Sequence, residues 1–146
     1  MSETNEHFMP YLSAAVFCEK VLQERDGVMS AIRIVDRFQF SGTEKEMAPK
    51  TLNVTLLLIF KSGFFRGKLS IKLSPKSPSG KQLPELEFPA LFEGDDRGVG
   101  IVAAMGFVAQ EEGLYWFDVL LQEQLITRIP LRVLYHTLTR SGSPEP

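Results

Sequence analysis

One carboxylate stands in unusual company. In Ile32-Arg33-Ile34-Val35-Asp36-Arg37-Phe38, a two-residue period puts Asp36 on the same side as Val28, Ile32, Ile34, Phe38 and Phe40. A carboxylate on an apolar face without partners costs on the order of several kcal/mol. Asp36 is therefore expected near a sheet end, or held by backbone N–H groups or an arginine, as an internal network that fixes its hairpin. Arg33 and Arg37 fall together on the opposite face, as candidate surface or interface groups.

A second unusual set lies near the C-terminus. Tyr115, Phe117, Val119 and Leu121 form one face of a strand, and Leu114, Trp116, Asp118 and Leu120 form the other, so both faces are largely apolar. In the next strand Leu125, Thr127, Ile129, Leu131, Val133 and Tyr135 oppose Arg128, Arg132 and His136. The expected outer surface carries Trp116 beside Arg128 and Arg132. Tryptophan and arginine are enriched in binding hot spots, so these residues, with Arg33 and Arg37, are the interface candidates.

Other chemistry is thinly represented. Gly98-Val99-Gly100-Ile101-Val102-Ala103 fits G-x-G-x-x-A, and Asp118 follows at the distance of a ribose-binding acid. The motif should follow a strand directly, however, and Glu93–Arg97 intervenes; too little chain remains after Asp118 for further βαβ units. A glycine-relieved core strand is the better reading. His7, His136 and Cys18 show no metal-ligand spacing. Glu93, Asp95 and Asp96 form an acidic loop that could offer oxygens to calcium, but such a loop is more often a solvated turn. Cys18 follows Val16 and Phe17 and reads as a small buried hydrophobe; no serine sits in a G-x-S-x-G elbow. No metal, no cofactor and no catalytic set are expected.

These residues need strands to position them. Apolar runs alternate with turn residues every 10–15 positions along the chain. Tyr11–Gln23 and Val28–Phe40 flank Glu24-Arg25-Asp26-Gly27, and Asp-Gly between β-rich runs is a strong hairpin signal. Tyr11–Gln23 could also carry a helical stripe through Ala14, Ala15, Cys18, Val21 and Leu22. Leu52–Lys61 alternates cleanly, as do Phe65–Leu73 and Leu86–Phe92, the last with Pro89 as an edge-strand mark. Val99–Ala109 follows, and Leu114–Leu121 with Leu125–Tyr135 closes the chain as a hairpin turning near Gln122–Gln124. Short strands at this spacing predict an all-β domain, a two-layer antiparallel sandwich of about eight strands over residues 10–138. Residues 1–9 and 139–146 are expected to be flexible tails.

The bulk properties agree with one domain. The 146 residues are 44% hydrophobic and 23% charged, with net charge −2, close to a globular average and without the basic field of a nucleic-acid binder. The single cysteine rules out an intrachain disulfide. The N-terminus shows no signal peptide, and no apolar run approaches the roughly 20 residues of a membrane helix. The expected location is cytoplasmic, with no membrane partner.

Two stretches carry a family resemblance. The first, FCEKVLQERDGVMSAIRIVDR, runs from Phe17 to Arg37; the second begins GLYWFDVLL at Gly113 and ends RIPLRV, from Arg128 to Val133. Together they resemble a family of short bacterial proteins classed as a domain of unknown function. The resemblance implies a bacterial β-sandwich and brings no catalytic residues with it. The expected role is a non-enzymatic module that binds a protein partner or self-associates. The alternative is a sandwich that binds a small ligand, sugar or calcium, with the end loops around Lys76–Lys81 and Asp95–Arg97.

Overall fold

The computed structural model describes residues 8–138. The expected tails fall outside that range, apart from Phe8 and Met9 at the start, both exposed. Nine strands follow: β1 (Tyr11–Gln23), β2 (Met29–Ile34), β3 (Arg37–Gly42), β4 (Lys50–Lys61), β5 (Arg66–Lys76), β6 (Leu86–Glu93), β7 (Gly98–Ala109), β8 (Gly113–Leu121) and β9 (Gln124–Thr137). They form two sheets. The first has the order β2-β1-β4-β7 and the second β3-β9-β8-β5-β6. The helical alternative for Tyr11–Gln23 is not taken: the segment pairs with both β2 and β4.

Period two decides what each strand buries. Leu52, Val54, Leu56, Leu58 and Phe60 of β4 face inward, as do Leu69, Ile71 and Leu73 of β5 and Tyr115, Phe117, Val119 and Leu121 of β8; all are buried in one cluster between the sheets. Aromatic rings join the layers edge to face. Phe17 of β1 lies 4.9 Å from Phe117 of β8, and Phe60 of β4 lies 6.0 Å from Phe92 of β6. Each such ring, fully buried, contributes roughly 1.5–3 kcal/mol relative to exposure.

The expected single strand Val28–Phe40 is two strands in two sheets, which raises the count from eight to nine. The chain leaves β2 at Arg33, whose φ is +56°, and passes to the other layer through Val35 and Asp36. There it lies alongside β9 in the same direction, Arg37 opposite Arg132 and Phe40 opposite Tyr135. The second sheet is thus mixed rather than antiparallel. The crossing is bonded on both sides: the Val35 N–H donates to Phe17 O (2.8 Å), and the Arg132 N–H donates to Asp36 O (3.1 Å). A period-two extrapolation through a sheet change loses its phase, so Asp36 is not on the apolar side. Its side chain is 92% exposed, with Arg37 Nε 4.0 Å away.

The first hairpin also departs from a flat sheet. β1 pairs with β4 only as far as Cys18–Thr55, and beyond that it pairs with β2 alone. Thr55 and Leu57 point to the outer side of β4, yet both are buried. The Thr55 hydroxyl donates to Glu19 O (3.3 Å), and a Cβ at Gly100 of β7 would collide with the Met29 methyl. The free half of the hairpin therefore curls across the outer face of its own sheet, with the start of β2 resting on β7. Gly100 leaves room for that contact; a side chain there would make the flexible Met29 end move aside.

Tyr115 anchors the turn from β7 to β8. Its ring is in the core, and its hydroxyl donates to Glu111 O (2.7 Å). Burial raises its pKa above the usual tyrosine value, and the Glu111 carboxylate adds to the rise. A raised folded-state pKa means the neutral form is favoured by folding, so this contribution is intact below about pH 10 and fades as pH climbs through the folded value. Tyr115→Phe should cost about 1 kcal/mol at neutral pH and flatten the fall in stability above about pH 10. Urea denaturation of both proteins at pH 7 and at alkaline pH measures this; equal alkaline losses would refute it.

Candidate functional site

The outer face of the second sheet gathers most of the candidate residues. β8 turns Leu114, Trp116, Asp118 and Leu120 outward while its other residues fill the core. Trp116 lies mid-sheet, flanked by Lys76 on β5 and Pro130 on β9. It is 39% exposed, so nothing among the described residues covers it fully.

Asp118, two positions along, is the buried carboxylate of this protein. Its side chain is only 10% exposed, and it bridges two cations: Oδ2 stands 3.2 Å from Lys76 Nζ, and Oδ1 stands 3.2 Å from Arg128 Nε. A carboxylate in that position needs both partners, since an unpaired buried charge is costly. In return it fixes the two cationic heads beside the indole. Arg132 follows Arg128 on the same face of β9, and Arg37 lies next to Arg132 across the parallel pair. Arg132 has no ion pair among the described residues, and Arg37 has only the distant Asp36. Four cations therefore stand on this half of the face against two carboxylates.

The other half is balanced. Lys72 pairs with Glu123 at 3.0 Å, the Ser74 hydroxyl donates to Glu85 (2.9 Å), and the Gln82 amide donates to Ser74 Oγ (2.9 Å) and Pro75 O (3.1 Å). The positive excess of the face thus lies on the side built by β3, β8 and β9, with Lys76 at the end of β5 on its border.

Trp116, Arg128, Arg132 and Arg37 are brought together. Arg33 is not: it belongs to the first sheet, where its Nε meets Glu19 at 2.6 Å, because the sheet change separates it from Arg37. Asp36 belongs to no side-chain network of the kind expected. Lys76, expected at the start of an end loop, instead ends β5 on this face, and the role of Asp118 escapes the sequence reading. A two-residue turn alone would place Thr127 opposite Asp118, but a bulge between Val119 and Leu120 shifts the register and delivers Arg128 instead.

The remaining candidates are dispersed. Cys18 is fully buried, and burial raises its thiol pKa, which suppresses the thiolate. His136 lines a shallow hollow with Gln39, Phe40, Ser41 and Leu134, away from Cys18. The G-x-G-x-x-A stretch is the first half of β7 and opens no helix. In the acidic loop Asp95 meets Arg66 (3.3 Å), Glu93 meets Arg97 (3.2 Å), and Asp96 accepts from the Tyr11 hydroxyl (3.3 Å). Among the described residues no three His, Cys, Asp or Glu side chains gather as metal ligands.

No family model matches the chain, and no curated protein does. Solved structures that align with this chain include a β-glucosidase from Listeria innocua, with TM-score 0.46 and 11% identity over 88% of this chain and 17% of that one. The same enzyme in complex with isofagomine gives TM-score 0.42 and 13% identity over 62% of this chain and 16% of that one. The chain thus spans only a small part of the enzyme's length. An immunoglobulin-like protein from Pseudomonas aeruginosa gives TM-score 0.41 and 13% identity, over 85% of this chain and 95% of that one. None of these likenesses carries an activity to this chain.

The Asp118–Arg128 pair should show a coupling of about 0.5–1 kcal/mol in a double-mutant cycle, kept small because the guanidinium is largely solvated. Denaturant titration of wild type, Asp118→Ala, Arg128→Ala and the double variant measures it; zero coupling would mean the pair does not organise the face.

Proposed function

We propose that this chain is a bacterial, cytoplasmic contact module without enzymatic activity, and that it docks a protein partner, or a second copy, on the outer face of its second sheet. The half-exposed Trp116 among fixed cations carries this reading. An indole offers a large rigid contact area, and arginine offers bidentate bonds to carboxylates; both are over-represented where binding energy concentrates. Asp118 holds Arg128 and Lys76 in place before binding, which lowers the ordering cost of association. The excess of positive charge fits an acidic partner surface with an apolar centre.

The alternative, a small-ligand sandwich using end loops, has less support. The acidic loop already spends its carboxylates on Arg66, Arg97 and Tyr11.

Trp116 is the chain's single tryptophan, so indole emission reports on this face alone. Pull-downs from the source cell's lysate should capture a partner that Trp116→Ala and Arg132→Glu both lose, with melting temperatures unchanged within roughly 2 °C. Adding the captured partner should shift wild-type emission to the blue. A strict monomer by light scattering, with identical captures by all three proteins, would sink the reading.

A further inference from the structure

A second surface lies on the opposite edge of the molecule. β7 ends the first sheet and, among the described residues, pairs only with β4, so every other backbone N–H and C=O along it points away from the sheet without a strand partner among them. This strand runs for 12 residues, GVGIVAAMGFVA, with no charge and no proline. Proteins usually blunt an edge of that length with lysine, proline or a bulge, because it is a template for another strand.

Beside this edge the two sheets stand apart. β6 begins only at Leu86, after Pro84, so on that side Ser74–Lys76 of β5 are met only by the 82–83 segment, through a bridge from Gln82 to Lys76 and the Leu83 N–H donating to Pro75 O (2.9 Å). The gap between the 81–86 loop and β7 is a cavity of about 560 Å³, walled by Leu83, Leu86, Met105, Phe107 and Phe117. Its volume and apolar walls suit large side chains entering from the rim. Lys81 is the charged residue on that rim, and no ion pair engages it among the described residues.

We propose that β7 and this cavity form a binding site for an extended peptide strand with large apolar residues at alternate positions and a carboxylate near Lys81. Three observations fix that chemistry. The unpaired edge asks for a strand, since main-chain bonds supply affinity in strand addition. A strand added in the plane of the first sheet turns every second side chain toward the interior, into the cavity. Lys81 then supplies the charge complement for a C-terminal or acidic side-chain carboxylate. This site is independent of Trp116, which lies on the outer face of the other sheet.

A random peptide library displayed with free C-termini and panned on the intact protein tests the proposal. Enriched sequences should alternate large apolar with small or polar residues and end in, or carry, a carboxylate. One such peptide is then remade with backbone N-methyl groups on alternate residues, in each of the two possible sets. Only one set of N–H groups can face β7, so one remade peptide should bind roughly tenfold or more weakly and the other should bind nearly as the parent does. Lys81→Glu, at an exposed loop position, should weaken the parent peptide by about tenfold, and Trp116→Ala should leave its affinity unchanged. The proposal fails if no peptide is enriched, if both N-methyl sets behave alike, or if Lys81→Glu binds as wild type does. It fails equally if Trp116→Ala abolishes binding, or if light scattering shows a dimer that Ala104→Lys dissociates, which would make a second copy the occupant.

Discussion

The passage of the chain between its sheets at Val35 and Asp36 governs the rest of the architecture. Two backbone bonds hold it, one to Phe17 O in the first sheet and one from the Arg132 N–H in the second. They satisfy the Val35 N–H and the Asp36 C=O at a point where the chain belongs to neither layer. Because the crossing is short, β3 must enter the second sheet beside β9 and parallel to it, and Phe38 and Phe40 turn inward to cap the core. The positive φ of Arg33 is the local cost of so sharp an exit, about 1–3 kcal/mol in typical cases. The close Arg33–Glu19 contact lies at the same corner, although both side chains are too solvated for it to offset much of that cost.

The same crossing assembles the cationic face. β3 carries Arg37 to the side of Arg132, and the bulge in β8 carries Arg128 to Asp118. Neither group would lie on the face that carries Trp116 in this arrangement if the chain had continued straight or the hairpin had kept a simple register. A carboxylate with 10% exposure amid three strands is then stabilised only while Lys76 and Arg128 both attend it. The face is therefore a consequence of two backbone irregularities and one buried charge, rather than of a run of basic residues.

That history explains what the sequence could and could not reveal. Strands whose two faces meet different surroundings were legible: β4 from Leu52 to Phe60, β5 from Leu69 to Leu73, β8 and β9 around their turn, and β6 as an edge through Pro89. Trp116, Arg128 and Arg132 could be placed together because a hairpin is a local object. Asp36 defeats the period-two rule because alternation carries no mark where a strand changes sheet, and Val28–Phe40 keeps its apolar rhythm through the change. Leu57 reads as an outward residue and is buried, because the hairpin that covers it is fixed by tertiary contact with Gly100 and not by its own period. Asp118 was visible as an outward acid, but its partners depend on a one-residue bulge that leaves no signature in composition.

The four sheet edges differ in how they are guarded, and the difference points to function. β2 is six residues long and ends at a sharp corner, and β3 is equally short and carries Arg37. β6 presents Glu87, Pro89 and Glu93 along its length. Short strands, charges and proline are the ordinary means of discouraging a stray strand. β7 is twice as long as β2 and uses none of them, although a single lysine at Val102, Ala104 or Val108 would disturb neither the core nor the pairing with β4. Packing does not demand that bareness, since these three side chains are exposed. An unguarded edge beside an apolar cavity is a liability in a domain that has no use for it, and that is why β7 marks a second place, apart from the Trp116 face, where another polypeptide would add.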